Sequence, residues 1–169
     1  MNALVKYGLL FIILLAVQIF ILNGMIFFTY ATPFIYIYFI VKLPVDTNKN
    51  IVICTSFLLG LSIDIFCNTP GVNASACVLI GFLRPFLING LTALDTSENR
   101  EPSIPLFGLA PFLRYIGISI FVHHAVLLSL ESFSLFNPLM LLFRIAACSV
   151  FTFILVWILE KLSSNNQRR

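Results

Sequence analysis

Hydrophobic residues form six long runs along the chain, and polar or turn-forming stretches separate them. The runs cover residues 4–22, 25–41, 51–66, 74–90, 112–130 and 139–159. A helix needs about 20 apolar residues to cross the hydrocarbon core of a bilayer, and the runs approach or reach that length. The third run is short, and we expect it to extend into Asn50 or Cys67. The pattern predicts an all-α integral membrane protein in which residues 1–169 form a single six-helix transmembrane bundle.

Most connections between the runs are short and polar, with turn residues such as Asn23-Gly24 and Pro70-Gly71. The long connection, residues 91–111, carries charged residues that include Glu101, and we expect a solvated, partly irregular loop. Its apolar second half, residues 104–110, is expected to lie along the membrane surface. The first run is too long for the core of a signal peptide and has no cleavage pattern after it, so we interpret it as a retained helix.

Composition excludes several classes of protein. Of the 169 residues, 60% are hydrophobic and only 10% are charged, whereas soluble domains carry about 25% charged residues. Mean hydropathy is +1.03. A soluble monomer and a disordered chain are therefore excluded. The net charge of +3 and the absence of a basic stripe in the sequence also exclude a nucleic-acid-binding domain.

The positive charges in the connections and near the ends of the runs predict the orientation of the bundle. They occur at the N-terminus, in the second and fourth connections and at the C-terminus, and are Lys6, Lys42, Lys49, Arg100, Arg114, Lys161, Arg168 and Arg169. The first, third and fifth connections contain no Lys or Arg. Because cytoplasmic loops are enriched in Lys and Arg, both termini are predicted to be cytoplasmic.

Apart from Lys6 and Arg114 near the ends of their runs, three charged residues, Asp64, Arg84 and Arg144, lie inside the runs, where each costs about 2.5–3.5 kcal/mol on insertion scales. Asp64 and Arg144 fall at similar depth near the outer surface, so they could form an ion pair. Arg84 lies too deep to reach water and is expected to face the interior, where carbonyls released by a kink at Pro85 could accept its hydrogen bonds. These charges suit either an ion or substrate pathway or helix packing and assembly, and we favour the second because relays need several aligned titratable groups.

No catalytic, cofactor or metal site is expected. His123 and His124 are adjacent, so their side chains point about 100° apart on a helix and cannot act together as ligands four residues apart would. We expect interior or interface histidines. The four cysteines are scattered without the spacing of a metal site, and no nucleophile elbow, zinc-protease motif or phosphate-binding loop occurs. Gln18 and Asn23 are suited to hydrogen bonds between helices.

The most distinctive part of the sequence is Gly60-Leu61-Ser62-Ile63-Asp64 followed by Thr69-Pro70-Gly71-Val72-Asn73-Ala74. A helix carries Gly and then Asp near its outer end, a Pro-Gly turn follows, and the next helix begins with small residues. This segment resembles the MreD family, the bacterial rod-shape-determining membrane proteins. The similarity extends in pattern to the chain length, the six helices and the scarcity of residues outside the membrane.

The resemblance implies a non-enzymatic component of the cell-elongation machinery in the bacterial cytoplasmic (inner) membrane. MreD proteins associate with MreC, a single-span protein with a large periplasmic part, and through it with the MreB cytoskeleton and the peptidoglycan synthases. By that analogy Gly60, Asp64 and the Pro70-Gly71 turn would shape the surface that a partner's span enters. Arg84 and Arg144 would serve packing or assembly, and membrane lipid would surround the helices.

Two other functions are compatible with the sequence. A substrate-binding membrane subunit of a vitamin transporter has similar size and helix number, but it would need a polar-lined cavity at the outer surface. Its first helix often carries alanines four residues apart for docking, and here the alanines are only Ala3 and Ala16, out of register. A small channel or proton-coupled carrier would need more acids inside the membrane than this sequence provides.

Overall fold

The computed structural model describes residues 3–23, 32–92, 100–132 and 137–167, and in these residues the regular structure is entirely helical. The helices are α1 (Ala3–Val17), which continues into a π-helical turn (Gln18–Leu22), α2 (Ile37–Lys42), α3 (Lys49–Cys67), α4 (Val72–Leu91), α5 (Ile104–Phe107), α6 (Leu109–Glu131) and α7 (Pro138–Gln167).

Five helices of the described part are long and apolar enough to cross a membrane. They are Val5–Leu22, Lys49–Cys67, Val72–Leu91, Leu109–Glu131 and Pro138–Ser163. Each contains or closely matches one predicted apolar run, so five of the six predicted spans are confirmed as long helices. The third run extends as expected, because α3 includes both Asn50 and Cys67.

The second run, residues 25–41, does not form one continuous helix. Residues 24–31 lie outside the described part, residues 32–36 are not helical, and α2 has only six residues. The Thr32-Pro33 pair explains the interruption, since Pro33 has no N–H to donate and the residue before a proline disfavours helical backbone. All of residues 35–43 are buried, so this segment forms part of the interior of the bundle.

The non-helical backbone of this segment is bonded to side chains of the surrounding helices. Phe34 N donates to Thr152 Oγ1 at 3.0 Å, and Ile35 N donates to Gln18 Oε1 at 2.9 Å. Gln18 Nε2 in turn donates to Pro33 O at 3.2 Å. Irregular backbone is tolerated at membrane depth only where protein groups satisfy it, and Gln18 and Thr152, both fully buried, provide those groups.

The helices pack in sequence order, α3 against α4, α4 against α6 and α6 against α7. Glycine allows the closest of these contacts. A Cβ atom on Gly60 would lie 2.5 Å from Ala74 Cα, and one on Gly81 would lie 2.8 Å from Ser56 Oγ. Small residues at such crossings let helix backbones approach closely, which favours packing between membrane helices.

The two ends of the bundle are chemically different. At the end that we call the Lys42 end, the start of α1, the end of α2, the segment before α5 and the last third of α7 meet through Lys6, Lys42, Glu101 and Glu160. At the opposite end, the Asp64 end, α3 turns into α4 and α6 reaches its last residue. The predicted orientation would place the Lys42 end in the cytoplasm, and it stays a prediction.

Candidate functional site

The turn between α3 and α4 is organised by the Asp64 carboxylate. Oδ1 accepts a hydrogen bond from Asn73 N at 2.9 Å, and Oδ2 accepts one from Ala74 N at 2.9 Å. Thr69 Oγ1 and Asn73 Nδ2 also donate to Oδ1, each at 2.9 Å. Asp64 therefore caps the first turn of α4 from the preceding helix, where free N–H groups and the positive end of the helix dipole favour a carboxylate.

The remaining residues of the Gly60–Ala74 motif shape the same hairpin. Asn68 (φ 55°) and Gly71 (φ 84°) adopt left-handed backbone, and Pro70 occupies the turn between them. Gly60 leaves the space into which the start of α4 fits. Each of these sequence-predicted residues contacts its own chain, and binding of a partner's span near them stays a prediction.

The suggested Asp64–Arg144 ion pair is wrong. Asp64 is 3% exposed and is fully engaged with the start of α4. Arg144 Nη2 instead lies 3.6 Å from Glu131 Oε2, with side chains that are 33% and 47% exposed. Asp64 and Arg144 do lie at the same end of the bundle, as their positions in the sequence predicted. Asp64, however, bonds to the N–H groups at the start of α4.

A buried hydrogen-bonded chain leads from Asp64 into the centre of the bundle. Asn73 Oδ1 accepts from Tyr36 Oη at 2.7 Å, and His123 Nε2 lies 3.1 Å from the same hydroxyl. Because the Tyr36 hydroxyl gives its proton to Asn73, we infer that His123 Nε2 carries the hydrogen. His123 Nδ1 is then a bare acceptor, and it has no partner among the described residues.

His124 belongs to a separate set of hydrogen bonds. Its Nδ1 lies 2.7 Å from Ile120 O and its Nε2 lies 3.0 Å from Thr152 Oγ1. Since a carbonyl can only accept, Nδ1 donates, and the Thr152 hydroxyl donates to Nε2. The two histidine rings lie 5.4 Å apart and both contact Phe34, but their nitrogen atoms have different hydrogen-bond partners. Both are fully buried.

A cavity of about 380 Å³ opens at the Asp64 end. Its polar lining comes from Asn23, Cys67, Thr69, Asn73 and Glu131, together with Thr32, and its aromatic lining comes from Phe34 and Phe66. Asn73 connects the cavity with the buried chain to His123.

The Lys42 end contains a buried ion cluster that sequence analysis missed. Lys42 Nζ lies 2.8 Å from Glu160 Oε2 and 3.8 Å from Glu101 Oε2, and it donates to Pro102 O at 3.1 Å. Tyr38 Oη donates to Glu160 Oε2 at 3.0 Å. Lys42 is 5% exposed and Glu160 2%. Buried charges of this kind are tolerated when paired and hydrogen-bonded.

Glu101 extends this cluster to the first helix. It forms an ion pair with Lys6 and accepts a hydrogen bond from Tyr7 Oη at 2.8 Å. Its side chain is 13% exposed, so the expectation of a solvated Glu101 is wrong. Glu101 is shielded from water because Lys6, near the start of α1, and Lys42, at the end of α2, each place an ammonium group beside its carboxylate.

Arg84 faces the interior as predicted, with 2% of its surface exposed. The expected bonding to carbonyls released at Pro85 is wrong. Arg84 Nη2 instead donates to Leu43 O and to Pro44 O, the latter at 3.0 Å. The short helix α2 ends just before these residues and leaves carbonyls without helical partners, so Arg84 satisfies them from α4.

Within the described ranges, no three His, Cys, Asp or Glu side chains gather as a metal ion would require. The four cysteines, all in the described part of the chain, form no disulfide bond, and Cys77 and Cys148 are buried whereas Cys54 is exposed. Cys67 accepts a hydrogen bond from Asn23 Nδ2 at 2.8 Å. The polar residues thus provide an acceptor-rich cavity and an ion cluster at opposite ends of the bundle.

Five long apolar helices that pack around a buried interior define the chain as an all-α, multi-pass membrane protein. No protein-family model, curated protein or solved structure matches it.

Proposed function

We propose that the protein is a non-enzymatic membrane scaffold of the bacterial cell-elongation machinery, located in the cytoplasmic membrane. In this role it holds an MreC-type single-span partner by helix–helix contacts and so connects the MreB cytoskeleton with the peptidoglycan synthases. The proposal starts from the resemblance of the Gly60–Ala74 segment to the MreD family.

The hairpin built from that segment is the observation that supports the proposal best. Asp64, the left-handed Gly71 and the close contact of Gly60 with Ala74 use the distinctive residues to fix α3 against α4. A fixed pair of helices presents a defined surface to another helix, as a scaffold requires. The face of α3 that points away from the bundle is apolar, and its residues Phe57, Leu58 and Ile65 are between 45% and 70% exposed.

Capture from native membranes tests this role. A tagged full-length chain should recover a single-span protein with a large periplasmic part, together with a cell-wall synthase. A photo-cross-linking residue at Leu58 should capture the single-span protein, whereas the same residue at Ile12 on α1, also exposed, provides the matched control. Depletion of the protein should make rod-shaped cells round. Normal rods after depletion, with no wall protein captured, would exclude the scaffold.

The cavity at the Asp64 end supports a second candidate, a substrate-binding membrane subunit of a small-molecule transporter. Such a subunit needs a polar-lined cavity, and the cavity of about 380 Å³ has polar residues in its wall. Recovery of an ATPase with a transmembrane coupling subunit in the capture experiment would favour this function over the scaffold.

A further inference from the structure

The lining of the cavity at the Asp64 end is rich in acceptors and poor in free donors. Glu131 contributes a carboxylate, and Phe34 and Phe66 contribute aromatic rings. No Lys or Arg is among its lining residues. A carboxylate that shares a cavity with aromatic rings is a combination that attracts organic cations, because the ring faces are negative and the carboxylate supplies a full charge.

The helix that begins at the cavity offers no free site to an anion. The N–H groups of the first turn of α4 are already used: Val72 N donates to Thr69 O at 3.2 Å, and Ser75 N donates to Gly71 O at 3.1 Å. The two N–H groups between them donate to Asp64. The usual attraction of a helix N-terminus for phosphate or carboxylate is therefore satisfied within the chain.

A second negative charge lies directly behind the cavity wall. Thr69 and Asn73 line the cavity and both donate to Asp64. Among the described Lys and Arg side chains, none forms an ion pair with Asp64. Arg144 lies 3.6 Å from the Glu131 carboxylate and competes for it from outside the cavity.

We propose that this cavity binds an organic ammonium group, with Glu131 as its counter-ion and the rings of Phe34 and Phe66 against its apolar part. The ammonium could belong to a soluble amine or to the ethanolamine headgroup of a membrane lipid, and the chemistry of recognition is the same. The site does not depend on the scaffold role, because failure of the capture experiment would leave the cavity and its charges unchanged.

Cys67 provides the readout, since its thiol lines the same cavity. The full-length protein is placed in phosphatidylglycerol nanodiscs, and alkylation of each cysteine by N-ethylmaleimide is followed by peptide mass spectrometry. The probes are 2-phenylethylammonium, its neutral analogue 2-phenylethanol and the anion 3-phenylpropionate. Cys54 is the internal control, because 13 residues of helix place it about 20 Å from Cys67.

The ammonium probe should protect Cys67 at concentrations about tenfold lower than either analogue, as expected for a hydrogen bond to a charged group, and should leave Cys54 unaffected. Glu131→Gln should weaken this protection about tenfold. Arg144→Gln removes the competing cation and should strengthen it. If the Glu131–Arg144 pair had only a structural role, both variants would instead change the protection of Cys67 in the same direction.

The lipid source is tested by adding phosphatidylethanolamine to the nanodiscs and comparing the wild type with Glu131→Gln in the same discs. Slower Cys67 alkylation in the wild type alone would identify the headgroup, and a response to the soluble probe alone would identify a free amine. Equal protection by the three probes, stronger protection by the anion, or no response in either arm would overturn the proposal.

Discussion

Lys42 and Glu160 form an ion pair in the interior of the bundle, with Nζ 2.8 Å and 3.0 Å from the two carboxylate oxygens. The pair joins the end of the short helix α2 to the last third of α7, 118 residues later. Tyr38 and Pro102 complete the hydrogen bonding around it. The helices at the Lys42 end are therefore held together by two buried charges that bond to protein groups rather than to water or lipid.

Breaking this pair from one side should be strongly destabilising. Lys42→Met and Glu160→Gln should each lower the free energy of unfolding, and Lys42→Met by about 3–5 kcal/mol, because it leaves the Glu160 charge buried without its partner. The double variant should cost less than the sum of the single changes. Thermal unfolding in detergent measures all three, and additive costs would contradict the coupling. Lys161→Met, on the exposed side of α7, is the control.

Gly60→Ala should destabilise the α3–α4 hairpin by about 1–3 kcal/mol, the usual cost of overpacking. The new methyl group would meet the backbone of Ala74 at 2.5 Å, and a backbone atom cannot rotate away. Gly90→Ala is the matched control on α4, since nothing lies within 4 Å of its added Cβ. The control should be neutral or slightly stabilising, because alanine favours helix over glycine. Equal melting temperatures for the two variants would refute the tight contact.

Asp64→Ala should lower stability by about 1–3 kcal/mol, because it removes the cap of α4 and leaves buried donors without an acceptor. Arg144→Ala should cost under about 1 kcal/mol, as expected for a partly exposed ion pair. Since the two residues have different partners, the double variant should equal the sum of the single variants within about 0.5 kcal/mol. A coupling larger than that, measured by unfolding in detergent, would revive the direct Asp64–Arg144 pair.

Thr152→Val should loosen the irregular segment that precedes α2. The substitution keeps the shape of the side chain but removes the acceptor of Phe34 N and the donor to His124, at a cost of about 1–3 kcal/mol. Hydrogen exchange at the Phe34 amide should accelerate. Thr55→Val is the control, because the Thr55 hydroxyl bonds only to carbonyls of its own helix. Unchanged exchange in Thr152→Val would show that Phe34 N has another acceptor.

The long helices could be predicted from the sequence because their apolar length is sufficient evidence. The run at residues 25–41 is equally apolar, but hydropathy cannot distinguish a helix that faces lipid from a segment enclosed by other helices. Pro33 was the local signal of an interruption. The sequence does not show that Thr152 and Gln18 bond to the backbone of residues 33–35. Without these bonds, a non-helical segment inside the bundle could not be predicted.

The charged residues show a similar limit. Asp64 was identified because an acid inside an apolar run requires an explanation, yet its partners are backbone N–H groups that carry no sequence signature. The pairing of Lys42 with Glu160 was missed because each residue lies at the end of a run, where a charge usually reaches water. Their separation of 118 residues excludes any local pattern that would have paired them.

The irregular segment before α2 also sets an order for assembly in the membrane. Phe34 N bonds to Thr152, and the Tyr36 hydroxyl bonds to Asn73 and contacts His123. All three of these later residues are synthesised after residues 32–43. The segment therefore has no complete set of partners until α7 has been inserted. Biogenesis of this protein must therefore accommodate an early apolar segment with unbonded backbone N–H groups until the last helix is inserted.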